Sequence, residues 1–129
     1  MIFTIVVHSA PYSTQAPASA FRFAKAALLG GHSIYRLFFF GDGVHNGNRL
    51  TVTAQDDVNW QKQWDQLIGE HKLDAVVCVS SAIKRGILNE GESVRHELDA
   101  VSLTEQAQIA GLGQLVDAVL QSDKVINFG

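Results

Sequence analysis

The sequence predicts an α/β protein of three layers, a mostly parallel sheet of about five strands flanked by helices. Short apolar runs rich in β-branched residues alternate with segments of helical periodicity, the pattern that crossover connections produce. Those runs are continuous rather than alternating, as in strands buried on both faces. The chain's 129 residues, 47% of them apolar, are enough for one core, so a single domain is expected over 1–129.

The elements follow in order. "IFTIVV", 2–7, reads as the first strand, and the loop "HSAPYSTQAP" after it offers Ser13 and Thr14 as helix caps. "ASAFRFAKAALLGG" places Phe21, Ala24 and Leu28 at helical spacing and stops at Gly30-Gly31. "HSIYRLFFF", 32–40, is a second strand, and "GDGVHNGN" a loop. Trp60, Trp64, Leu67 and Ile68 mark one face of a helix over 56–71. "LDAVVCV" is a third strand, with a short helix from about Ser80 to Arg85 behind it. Residues 88–108 are polar with scattered apolar positions and read as loop with a helical turn. "GLGQLVDAVLQSD" is a final helix and "KVINF" a last strand.

Composition excludes several classes of function. The formal charge is −3 and no Lys/Arg stripe is visible, which argues against a chain that grips nucleic acid by itself. One cysteine cannot form an internal disulfide and suits a reducing cytosol. "MIFTIVV" is too short for a signal-peptide core and lacks a charged flank. No run approaches the roughly 20 apolar residues of a membrane helix, so a soluble cytoplasmic protein is expected. There is no Cys-x-x-Cys, no His-x-x-x-His, no P-loop and no Rossmann glycine pattern, so no metal and no cofactor is expected. "SAPYSTQAP" offers hydroxyls before a helix, as flavodoxins do for a phosphate, but plain helix capping is the better explanation of so common a signal.

Chemistry centres on Cys78. In open α/β sheets, sites lie outside the carboxyl ends of the strands, and "VVCVSSAIKRGI" puts the thiol at such an end. Strand neighbours would desolvate the thiol and raise its pKa. Helix-opening amides, with Lys84 or Arg85 if they fold back, would lower it. Position alone leaves a nucleophile and a packing cysteine equally open. His8 and His45 lie on loops at the same end of the sheet, so a Cys–His pair is geometrically available, although nothing in the spacing demands one. The loops 8–14 and 41–48 should gather near Cys78, with Val44 and His45 on the rim of a dock for another protein.

Four stretches together resemble one family, the DsrE/TusD group of sulfur-relay proteins. They are "PYSTQAPASAFRFAKAAL", "FFFGDGV" running into "RLT", "VVCVSSAIKRGI" and "GLGQLVDAVLQSDKVI". They occur in the family's order and at its spacing. The resemblance implies a sulfurtransferase subunit in which Cys78 carries sulfur as a persulfide, with Ser80, Ser81, Lys84 and Arg85 as electrostatic support. It implies a heterohexamer with two smaller siblings, TusC/TusB-like or DsrF/DsrH-like. A TusA-like carrier would donate sulfur, and a TusE- or DsrC-like protein would accept it. In TusD-like members the sulfur ends as 2-thiouridine at tRNA wobble positions, and in DsrE-like members the relay serves intracellular sulfur oxidation. A non-catalytic structural subunit and a flavodoxin-like small-molecule binder are the remaining alternatives. The chain departs from the family's small-residue run after the cysteine by carrying Ser80 and Ser81.

Overall fold

The computed structural model describes residues 1–129. Five strands, β1 (Ile2–Val7), β2 (Ser33–Phe39), β3 (Ala75–Cys78), β4 (Gln108–Ala110) and β5 (Lys124–Phe128), form one sheet in the order β4-β3-β2-β1-β5. Every pairing is parallel. The helices are α1 (Ala16–Leu29), α2 (Trp60–His71), α3 (Val79–Lys84), α4 (Glu90–Arg95) and α5 (Gly113–Gln121). None is long and apolar enough to cross a membrane.

Side chains alternate across each strand, so the sheet has two distinct faces. One carries Ile5, Val7, Leu37, Phe39, Ala75 and Val77 against α1 and α2, where Phe21, Ala24, Trp64, Leu67 and Ile68 complete the main core. Trp64 is 1% exposed and meets the edges of Phe21 and Phe39. The opposite face holds a second, smaller cluster of Val6, Phe38, Val76 and Cys78, with Phe40, Ala110, Leu115 and Val125 packed around it. Arg36 fastens α5 over this face. Its guanidinium donates to Asp74 at 2.7 and 2.9 Å, to the Gln114 carbonyl at 2.7 Å and to Asp117 at 3.1 Å. Leu112, Val116, Val119 and Leu120 on and beside α5 remain exposed.

Several expected boundaries shift. Helix α1 is capped at Gln15 rather than by a serine or threonine side chain, although Thr14 Oγ1 accepts from the Ala16 amide at 3.2 Å. Helix α2 begins at Trp60, where Asn59 caps it by accepting from the Lys62 amide. The stretch 88–108 contains α4 and ends at β4, an edge strand of three residues, too short for sequence periodicity to register. The expected loop at 41–48 is instead a 3-10 helix, Gly41–Gly47. It is pressed into the fold, with Gly43, Val44, Asn46 and Gly47 buried. Val44 is 0% exposed and belongs to the main core, so it cannot stand on a docking rim; its apolar side chain is used for packing instead. His45 beside it is half-buried.

Candidate functional site

β3 is only four residues long, and α3 starts with no intervening loop, so Cys78 is both the last strand residue and the N-cap of the helix. Its backbone is extended (φ −63°, ψ 125°), which turns the chain at the carboxyl edge of the sheet. Strand alternation aims its side chain at the second face, where it is 1% exposed among Val6, Phe38 and Val76. Sequence reasoning could place the thiol at a strand end. It could not select which face of the sheet it joins.

The polar surroundings come from α3. Cys78 Sγ lies 3.5 Å from Ser80 Oγ. Burial pushes the thiol up, but the Ser80 hydroxyl, the Ser81 amide, the Ser81 hydroxyl and the Ser80 amide outweigh it and hold the thiol below its ordinary value. Hydrogen bonding to the charged form favours that form, as here. The sulfur makes no full capping hydrogen bond, so this stabilisation is spread over several donors.

The proposed cationic support is arranged differently. Arg85 turns away from the sulfur: its Nε donates to Asp42 at 2.8 Å and its Nη1 to the Ser81 carbonyl at 3.1 Å. Lys84 is exposed and lines a small hollow of about 240 Å³ with Ile83, Leu88 and Leu98. Ser81 is buried, and its Oγ accepts from the Gly41 amide at 3.0 Å. Gly41 and Asp42 therefore join the site; the sequence brought their segment, 41–48, to this end of the sheet without singling either residue out. Only an ion pair across 43 positions, visible in three dimensions, could have found Asp42.

Neither histidine pairs with the thiol. The register puts His8 two strands from Cys78, about 10 Å at ordinary strand spacing, with Phe40 between them. His8 Nε2 instead meets Asn127 Oδ1 at 2.9 Å. No group of three His, Cys, Asp or Glu side chains is arranged to hold a metal. The largest cavity, about 670 Å³, lies elsewhere, lined by Arg49, Asp65, Thr104 and Glu105 among others, and does not include Cys78. What remains is a solitary thiol at a strand-to-helix corner, backed by apolar side chains and approached by uncharged donors. A thiolate so held needs no general base to attack sulfur or another soft electrophile, but at 1% exposure the sulfur has to be uncovered before a reactant can reach it.

Comparison with known proteins fits this geometry. The DsrE/DsrF-like family matches residues 1–128. The chain belongs to that family. It is 46% identical over 129 residues to the DsrE protein of Allochromatium vinosum, covering 100% of this chain and 99% of that protein. It is 40% identical to the sulfurtransferase TusD homolog of Pseudomonas aeruginosa, over 100% and 98% of the two chains. For the sulfurtransferase TusD homolog of Aliivibrio fischeri the figures are 39%, 99% and 98%. Relatedness at this level over the full length makes this family member a sulfurtransferase. Among solved structures, the ychN protein of E. coli superposes with a TM-score of 0.80 over 99% of both chains, at 22% identity, and shares the fold.

Proposed function

We propose that this sulfurtransferase carries one sulfur atom on Cys78 as a persulfide and passes it between proteins. The Cys78 thiolate attacks the outer sulfur of a donor persulfide, R–S–SH. A new S–S bond forms on Cys78, the donor's S–S bond breaks, and the donor leaves as a thiolate that takes up the proton Cys78 gave up. One thiol and one persulfide enter and leave, so no oxidant, metal or cofactor is required. The observation that carries this reading is the thiol's pairing of a lowered pKa with an apolar backing. The first raises the thiolate fraction, and the second shields the sulfur from stray reductants.

The partners proposed are a small TusA-like donor, a TusE- or DsrC-like acceptor and two smaller sibling subunits in a heterohexamer. The exposed apolar side chains of α5 support an assembly that covers them. The destination proposed is wobble-uridine 2-thiolation of tRNA, reached through the acceptor and without direct tRNA binding, in a cytoplasmic relay. A second reading, delivery into intracellular sulfur oxidation, is favoured by the 46% identity to DsrE against 39–40% to the two TusD homologs.

Intact-mass measurement after incubation with a persulfidated donor protein tests the carrier. The wild-type chain should gain one sulfur atom, lost again on reduction, and Cys78→Ser should not. Labile sulfur on the serine variant would overturn the assignment. Loss of 2-thiouridine from tRNA in a deletion strain separates tRNA thiolation from sulfur oxidation.

A further inference from the structure

The 3-10 segment and α3 are joined at points that all converge on Ser81, three residues from the thiol. Arg85 at the end of α3 holds Asp42 and the Ser81 carbonyl through different nitrogens. The Gly41 amide, next to Asp42 in the chain, donates to Ser81 Oγ. Gly41 has φ +57°, a left-handed conformation that lets the chain turn its amide toward α3. Ser81 is 7% exposed, so its hydroxyl needs partners. Having accepted from Gly41, it has one hydrogen left to donate. The Asp42–Arg85 pair is too exposed, at 66% and 30% of the two side chains, to matter much for stability.

We infer that Asp42 and Arg85 are positioning residues for sulfur transfer, acting on Cys78 through Gly41 and Ser81. With the clamp closed, Gly41 takes one lone pair of Ser81 Oγ, and the hydroxyl hydrogen is left free to donate toward the sulfur of Cys78, the N-cap of the same first helical turn. With the clamp broken, residues 41–42 are released and that hydroxyl loses its orientation. This gives Arg85 a geometric role in place of a charge acting directly on sulfur. The Ser81 hydroxyl and amide are both among the groups that hold the thiol down, as this arrangement requires. The charged or titratable groups on the surrounding elements are Asp42 and His45 in the 3-10 segment, Lys84 on α3 with Arg85 just after it, and His8 after β1. Asp117 on α5 is tied to Tyr35 and Arg36. The inference rests on Cys78 being the reacting thiol.

The test is the pH dependence of Cys78 alkylation by iodoacetamide in the intact chain. Asp42→Ala and Arg85→Ala should raise the midpoint and slow alkylation near pH 7 by about three- to tenfold, one pKa unit being tenfold. Asp42→Asn, whose Oδ1 can still accept from Arg85, should stay nearer wild type. Ser81→Ala should raise the midpoint as well, and adding Asp42→Ala to it should change nothing further, because both act along one path. An unmoved midpoint in Asp42→Ala, whatever its melting temperature, overturns the inference. So do additive effects of Asp42→Ala and Ser81→Ala. Alkylation needs no sulfur donor, so failure of the persulfide reading shows only in the mass measurement, and the two failures are distinguishable.

Discussion

Gly43→Ala probes the seam between the sheet and the site with the smallest possible change. Gly43 is buried where the 3-10 segment passes over the end of β1. An added Cβ would fall on the Val7 carbonyl oxygen, with the carbonyl carbon at 2.8 Å and His8 Cα at 3.4 Å. Both contacts are backbone, so no side chain can rotate out of the way. Val7 is held in place because its carbonyl accepts from the Phe40 amide at 3.0 Å. The 3-10 segment must therefore move. Overpacking of this kind costs about 1–3 kcal/mol. The shift also stretches the bonds of Asn46 Nδ2 to the Ser9 and Gly43 carbonyls and of the Gly41 amide to Ser81, each about 1 kcal/mol net. With all three bonds lost the sum is about 4–6 kcal/mol, which lowers the melting temperature by about 15–20 °C for a domain of this size. Trp64, in van der Waals contact with the core rings, reports unfolding by fluorescence. The alkylation midpoint of Cys78 should rise in the same variant. A melting temperature within about 2 °C of wild type would refute the steric argument.

Other outcomes follow from the same structure. Val44→Asp places a carboxylate in the main core with no partner and should remove most of a stability that is typically about 5–15 kcal/mol, whereas His45→Glu at the half-buried neighbour should fold; urea titration of both compares them. Cys78→Ser should fold at a cost of about 1–2 kcal/mol, because the hydroxyl replaces a buried thiol but has Ser80 Oγ within reach; equilibrium unfolding measures it, and a collapse would favour a purely packing cysteine. The lowered thiol pKa stabilises the folded state above the ordinary thiol range, and this contribution is lost as pH falls through the folded value. The stability difference between wild type and Cys78→Ser should therefore grow as pH rises toward the ordinary thiol range and level off above it, and a flat difference would contradict the lowered pKa.

The sequence by itself determined the fold class, because both sources of evidence for it are local. The β-branched runs of β1 and β3, the aromatic-rich run of β2 and the apolar stripes of α1 and α2 are patterns that a one-dimensional reading detects. The same holds for the strand-end position of Cys78 and the glycine stop after α1. Family resemblance over most of the chain did the rest. Three things were decided only in the tertiary structure. β4 is three residues long and is a strand only because β3 pairs with it, so it carries no period of its own. Glycine and asparagine in "GDGVHNGN" read as a solvated loop, yet the segment is buried because Gly43 lets it lie against β1, which drew Val44 into the core and off the surface. Arg85 was placed near the thiol by its neighbours in the chain, but its fork points to Asp42, 43 positions away. Hydrogen-bond direction and core membership depend on which segments pack together, and that is a property of the assembled sheet rather than of any stretch of residues within it.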